Sequence, residues 1–185
     1  ILAGGKGSRL AEYTSSIPKP MVKIGNTPII SRIINFYSNF GYNDFIIASG
    51  YKSSVIKNYF AKNMKKKNIK VIFTGQNSMT GGRIKRLEKY LKYERFFLTY
   101  GDGLSDVNIN NLLKFHKKNN NIVTLTAVRP PARFGGIQIS GSKVKYFKEK
   151  SSLDEGWING GFFVCEPEIF KFLKNDKTIL ERQPL

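Results

Sequence analysis

The residues best suited to chemistry stand at the very start of the chain. Gly4, Gly5 and Gly7 lead directly into Ser8 and Arg9. Glycine lets a loop bend where a Cβ would forbid it, and it turns backbone N–H groups toward an incoming anion. Ser8 adds a donor, and Arg9 adds a planar cation that matches phosphate oxygens. Lys19 follows in Ile17-Pro18-Lys19-Pro20-Met21, where two prolines restrict the backbone on either side of it. An ordinary strand-to-helix turn is the plainer interpretation of Gly4 to Arg9. The spacing fits neither the P-loop pattern G-x-x-x-x-G-K-S/T nor G-x-G-x-x-G.

Asp102 is the sharpest single residue. It lies between Gly101 and Gly103, just after the apolar run Phe96 to Leu98. A carboxylate so placed suits a hard cation such as Mg²⁺, which needs few protein ligands and completes its shell from phosphate and water. The alternative is a turn aspartate that accepts backbone N–H bonds. Arg83, Lys85 and Arg86 follow Gly81-Gly82 at an expected helix start, where the dipole and free N–H groups favour phosphate or a polar base edge. A solvated face is the alternative for Arg86 and the favoured assignment for Lys85. Glu149-Lys150 closes one expected strand and Asn159-Gly160-Gly161 opens another. Separately they are a rim salt link and a turn. Together they offer acceptors for sugar hydroxyls and a cation for a sugar phosphate.

These groups need a scaffold, and the pattern supplies one. Ile1 to Ala3 reads as a buried strand, and Pro28 to Phe40 as a helix with Ile29, Ile30, Ile33, Ile34, Tyr37 and Phe40 on one face. Further strands are expected at Phe45–Ala48, Lys70–Thr74, Phe96–Thr99 and Ile122–Val128. Helices are expected from Ser53, through Ile84, Leu87 and Leu91, and over Ile109–Lys118, with the lone His116 exposed on its lysine-rich stretch. Short strands follow at Gly136–Ile139, Lys143–Phe147 and Gly161–Cys165, then a closing helix over Pro167–Leu173. Strands alternating with helices imply an α/β fold: a Rossmann-like, mostly parallel mixed sheet with helices on both faces. Ligands then bind beyond the carboxyl ends of the strands. The Gly4 loop, the Gly81 loop and Asp102 all follow strands and are expected to converge there.

Bulk properties bound the rest. The 185 residues suit one domain with a sizeable core, residues 1–185, and 14 Phe with 9 Tyr argue against disorder. The chain starts without methionine inside an expected strand and is read as a piece shortened at both ends, mainly the C-terminus. It shows no secretory leader and no apolar run of membrane-spanning length. One cysteine, Cys165, excludes an internal disulfide framework and fits a reducing compartment, with a packed thiol rather than a nucleophile. The formal net charge is +18, from 31 Lys and Arg against 13 Asp and Glu. Because the lysines are scattered along the chain, no dedicated nucleic-acid surface is inferred.

Leu2-Ala3-Gly4-Gly5-x-Gly7-Ser8-Arg9-Leu10 followed by Pro18-Lys19-Pro20-Met21 resembles the opening signature of sugar-1-phosphate nucleotidyltransferases. Ser78 to Arg86, Thr99 to Gly103, Pro130 to Gly135, Ile158 to Val164 and Gln183 to Leu185 resemble the glucose-1-phosphate cytidylyltransferases among them. The resemblance implies CTP and glucose 1-phosphate as substrates, Mg²⁺ as cofactor, a cytoplasmic enzyme and a homo-oligomer. It implies that Leu2, Ala3, Gly4, Gly5, Thr80, Gly81 and Gly82 hold base and ribose. By the same resemblance Gly7, Ser8, Arg9 and Lys19 grip the phosphates, Arg83 lies near them, and Asp102 binds the metal. Glu149, Lys150, Asn159 and Gly160 would hold the sugar phosphate. Ser8 replaces the threonine of many relatives, and residues 63–74 are shorter than the corresponding family region. The resemblance also implies a second metal-binding aspartate, which in the family lies in a C-terminal part not represented in these 185 residues. The residues themselves leave open a UTP- or dTTP-dependent enzyme, or a nucleotide-binding protein without turnover.

Overall fold

A computed structural model describes residues 1–7, 11–63, 67–130, 136–148, 156–182 and 184–185. Where the sequence is read as one domain, these residues form two compact units, Ile1–Thr124 with Gly161–Leu185, and Leu125–Gly160. The chain leaves the first within β7 (Val123–Val128) and re-enters it within β10 (Ile158–Cys165), numbering strands in chain order.

In the first unit β1 (Leu2–Ala3) runs parallel to β4 (Asp44–Ser49), which runs parallel to β5 (Asn68–Phe73). A parallel bridge from Leu2 to Tyr100 extends the order to β6 (Phe96–Thr99), and β10 pairs antiparallel with β6 from Phe162–Thr99 to Cys165–Phe96. The strand orders are β1-β4-β5 and β6-β10-β7, a mixed sheet with a parallel majority, as expected. A small hairpin, β2 (Lys23–Ile24) with β3 (Thr27–Pro28), precedes the first long helix. Parallel neighbours need crossovers. They come from α2 (Ile29–Asn39) and α3 (Ser53–Asn63), with α4 (Thr80–Lys85) and α5 (Glu88–Leu91) between β5 and β6. The short α1 (Ala11–Thr14) follows β1, and α6 (Ile109–Asn119) precedes β7.

Successive strand residues point to opposite faces, so each strand feeds two cores. Ala3, Ile47 and Phe162 join Ile30, Ile33 and Ile34 of α2 in one cluster. Their neighbours Leu2, Ala48 and Phe163 join Ile84, Phe170 and Leu180 in the other. Helical cover on both faces follows from this alternation. Ile30, Ile33 and Ile34 recur at helical spacing and are fully buried, each side chain contributing about 1.5–3 kcal/mol. Cys165 is buried, and burial pushes its thiol up to about 12, as a packed residue requires.

Two expectations fail for local reasons. The helix expected through Ile84, Leu87 and Leu91 breaks at Leu87, whose N–H bonds the Ile84 carbonyl at 2.8 Å and whose side chain drops into the second cluster. His116 is not exposed but 1% accessible. It lies two helical turns after the buried Ile109 and shares its face, which the surrounding lysines disguised. Its Nδ1 meets Thr124 Oγ1 at 2.8 Å and its Nε2 meets Glu166 Oε1 at 3.0 Å, while Arg95 Nε donates to the same oxygen at 2.6 Å. Burial pushes the Glu166 carboxyl up, but these hydrogen bonds outweigh it and leave its pKa below the ordinary value. Glu166→Gln should therefore destabilise the fold by about 1.5–3 kcal/mol near neutral pH. A carboxyl held below its unfolded pKa stabilises only while ionised, so the deficit should close as pH falls through that depressed value. Thermal melts across this range check it, and a deficit independent of pH would mean that the ionised carboxylate is not what stabilises the fold.

In the second unit β8 (Gly136–Ser140) and β9 (Lys143–Lys148) form an antiparallel hairpin around Gly141-Ser142, close to the expected turn. Arg129 lies over the Trp157 ring at 4.6 Å.

Candidate active site

The site begins where β1 ends. The loop after Ala3 is held by its carbonyl oxygens: Gly4 O accepts from Arg83 Nη2 at 2.9 Å and from Tyr51 N at 3.2 Å, and Gly7 O accepts from Thr14 Oγ1 at 3.2 Å. Tyr51 in turn donates its hydroxyl to Thr14 O at 3.1 Å. Carbonyls held by the protein in this way leave the N–H groups of a glycine loop for a ligand. Gly7, with φ of +66°, packs against Lys19. Lys19 opens a 3₁₀ turn over Lys19–Met21, set by the extended Pro18 before it and by the burial of Pro20 and Met21 behind it.

Lys19 Nζ forms an ion pair with the Asp102 carboxylate, both side chains about one-third exposed, at 30% and 32%. Asp102 is carried there by β6, and Gly101 N donates to Leu2 O at 2.8 Å, which ties the Asp102 turn to the end of β1. Glycine loop, lysine turn and aspartate thus meet at the carboxyl ends of adjacent parallel strands. Residues far apart in sequence share one place.

Arg83 is only 5% accessible, and its guanidinium is committed to protein oxygens. Nη1 donates to Gly75 O at 2.6 Å and Thr74 Oγ1 at 3.2 Å, and Nη2 donates to Gly4 O and, at 3.3 Å, to Gln76 O. Burial, then the nearby Arg86, pulls its pKa below the ordinary arginine value. A Cβ on Gly4 would lie 2.0 Å from Arg83 Nη1, so only glycine fits over the guanidinium. The sequence places Arg83 near the phosphates; the structure has it bracing the loop from within the protein. Arg86 lies outside, bonded through Nε to Asp176 Oδ1 at 2.7 Å and through Nη2 to the other oxygen. Lys85 pairs with Glu88 at 2.8 Å, as a helix-face residue does.

Leu2, Ala3, Gly4, Gly81 and Gly82 are buried, Gly5 is exposed and Thr80 is half-buried. Ser8, Arg9, Glu149 and Lys150 lie outside the described residues. Asn159 and Gly160 belong to the second unit, where Gly160 lies against Thr126 O. Tyr51 and Thr14 escaped the sequence analysis because a tyrosine after a strand and a threonine near a turn carry no distinctive spacing.

Among the described residues no three His, Cys, Asp or Glu side chains cluster as a metal site. Asp102 nevertheless suits Mg²⁺, which is held by one or two carboxylates together with substrate phosphates. The ammonium already against that carboxylate shows that the position accepts a cation.

The family described as nucleotidyl transferase matches residues 1–184, and the chain belongs to it. The glucose-1-phosphate cytidylyltransferase of Salmonella typhi is 44% identical over 208 residues, covering 100% of this chain and 81% of that protein. That alignment is longer than the chain, so the relative carries internal residues that this chain lacks. D-glycero-alpha-D-manno-heptose 1-phosphate guanylyltransferase of Aneurinibacillus thermoaerophilus is 32% identical over 174 residues, 92% of this chain and 75% of that protein. Among solved structures, HddC from Yersinia pseudotuberculosis complexed with GMP-PN superposes with a TM-score of 0.76 at 26% identity, covering 98% of this chain and 82% of that one. No helix among the described residues is long and apolar enough to cross a membrane.

Proposed function

We propose that this chain transfers a cytidylyl group from CTP to glucose 1-phosphate, giving CDP-glucose and pyrophosphate. The observation that carries the proposal is the meeting of the Gly4–Gly7 loop, Lys19 and Asp102 beyond the carboxyl ends of adjacent strands, in a chain 44% identical to a glucose-1-phosphate cytidylyltransferase. The sugar phosphate oxygen attacks the α-phosphorus in line with the departing pyrophosphate. A phosphate dianion is already a nucleophile, so the protein's work is positioning and charge neutralisation.

Backbone N–H groups of the glycine loop, with Ser8 and Arg9, hold the triphosphate. Lys19 exchanges the Asp102 carboxylate for phosphate oxygens and offsets charge as the bond to pyrophosphate breaks. Leu2 to Gly5 and Thr80 to Gly82 face base and ribose, and Arg83 fixes the loop that carries Gly4. Glu149, Lys150, Asn159 and Gly160 receive the sugar phosphate. Mg²⁺ held by Asp102 would neutralise and align phosphate oxygens. The excess of basic residues lowers the repulsion between two anionic substrates. We infer that the enzyme works as a homo-oligomer in the cytoplasm.

Pyrophosphate release measured with CTP, UTP, dTTP and GTP in turn, each with glucose 1-phosphate and Mg²⁺, tests the assignment. CTP should be preferred. Comparable or faster turnover with UTP or dTTP would reject cytidylyl transfer.

A further inference from the structure

One carboxylate outside the proposed site joins two of its walls. After the closing 3₁₀ turn (Pro167–Lys171) the chain returns along α4. Met79 N donates to Asp176 O at 2.8 Å, Gly82 N to Thr178 O at 3.1 Å, and Leu180 N to Thr80 Oγ1 at 2.9 Å. The approach is close: a Cβ on Gly82 would lie 2.5 Å from the Asp176 carbonyl oxygen. Gly82 therefore makes room for this returning segment, whatever else it faces.

Glu181 ends the segment, and its two oxygens go to different elements, the start of α4 and the turn after β6. Oε2 accepts from Thr80 Oγ1 at 2.7 Å, and Oε1 accepts from the Tyr100 hydroxyl. Thr80 opens α4, and its hydroxyl accepts from Leu180 while donating to Glu181, which fixes its orientation. Tyr100 directly precedes the Gly101-Asp102 turn that is bonded back to Leu2. Among the described residues no Lys or Arg forms a salt bridge with Glu181. The carboxylate is thus a two-point acceptor, not half of an ion pair. Hydrogen bonds to an ionised acceptor are short and directional, and at an exposed residue such contacts add little to global stability.

We infer that Glu181 is a positioning residue for the proposed transfer, clasping the Thr80 turn to the Asp102 turn so that the nucleotide side and the metal side of the cleft stay in register. The inference rests on the proposed function for its kinetic consequence and on geometry alone for its mechanical one. Displacing one wall by about an ångström costs up to ~100-fold in rate. Glu181→Ala should therefore lower kcat with CTP by roughly tenfold, with the melting temperature nearly unchanged. Glu181→Gln keeps the length and can accept from one hydroxyl while donating to the other, so it should recover most of the rate. Tyr100→Phe should slow turnover alone, yet add nothing to Glu181→Ala, because Tyr100 acts through the same carboxylate.

Steady-state kinetics of these four variants, run beside amide exchange of residues 79–82 and 100–103 without substrate, provide the test. Faster exchange at both turns in Glu181→Ala, with non-additive rate losses, supports the clasp. Unchanged exchange, multiplicative losses, or a rate loss explained by a lowered melting temperature would overturn it. A wild type inactive with CTP whose two turns still loosen in Glu181→Ala would sink the proposed function and leave the clasp standing.

Discussion

Asp102→Asn should reduce CTP-dependent pyrophosphate release by about a thousandfold, the scale on which a single preorganised electrostatic group acts. The fold should survive. The Lys19–Asp102 pair is about one-third exposed on both sides, and such pairs hold little net stability. Lys19→Ala should cost about a hundredfold by the same logic, since it withdraws positive charge from the bond that breaks. The two substitutions should not multiply, because each residue is the other's neighbour in the resting cleft. Rates of both single variants and the double variant, beside their melting curves, decide the matter. Near-normal turnover in either single variant would take that residue out of the mechanism.

Arg83→Met should act mainly on stability. The substitution strands the half-buried carbonyl oxygen of Gly75 and leaves the Gly4 carbonyl with only the Tyr51 N–H, the orphaned acceptor and the thinned contact together costing up to about 3 kcal/mol. At this chain length a loss of about 3 kcal/mol lowers the melting temperature by roughly 10 °C. Arg83→Lys should rescue little, because a single ammonium cannot reproduce a planar fork that donates in two directions. Calorimetry on both variants provides the check. A melting temperature within about 2 °C of wild type would mean that the guanidinium is not what holds the glycine loop.

The parallel sheet was legible because its strands are short apolar runs that end in glycine or polar punctuation, as at Ala3-Gly4 and Thr99-Tyr100-Gly101. Asp102 and Lys19 were legible because their flanking glycines and prolines restrict or free the backbone in ways that few other positions require. Convergence of the glycine loop and Asp102 at the carboxyl ends of the strands was legible from the α/β pattern, but the direct pairing of Lys19 with Asp102 was not: it depends on β1 lying beside β6, and strand order leaves no trace in local spacing. His116 misled through its lysine neighbours, although its distance from Ile109 already placed it on the buried face. Arg83 presented the same composition as a phosphate-binding arginine. Only the fold shows that Gly4, Thr74, Gly75 and Gln76 surround its guanidinium. Glu181 had no signal at all, since a lone glutamate before Arg182 reads as a surface charge.

The guanidinium of Arg83 occupies space that two absent side chains vacate: beta carbons on Gly4 and Gly50 would lie 2.0 and 2.5 Å from its Nη1. Three positions on three different segments therefore behave as one hereditary unit. A lineage that exchanged either glycine first would clash with the arginine, and one that lost the arginine first would open a hole beneath the loop. Natural variation should accordingly exchange Gly4 only together with Arg83 and keep Gly50 throughout, since a Cβ there would also lie 2.7 Å from the Gly4 and Gly75 carbonyl oxygens, and directed libraries that randomise these codons singly will return almost nothing but the parent.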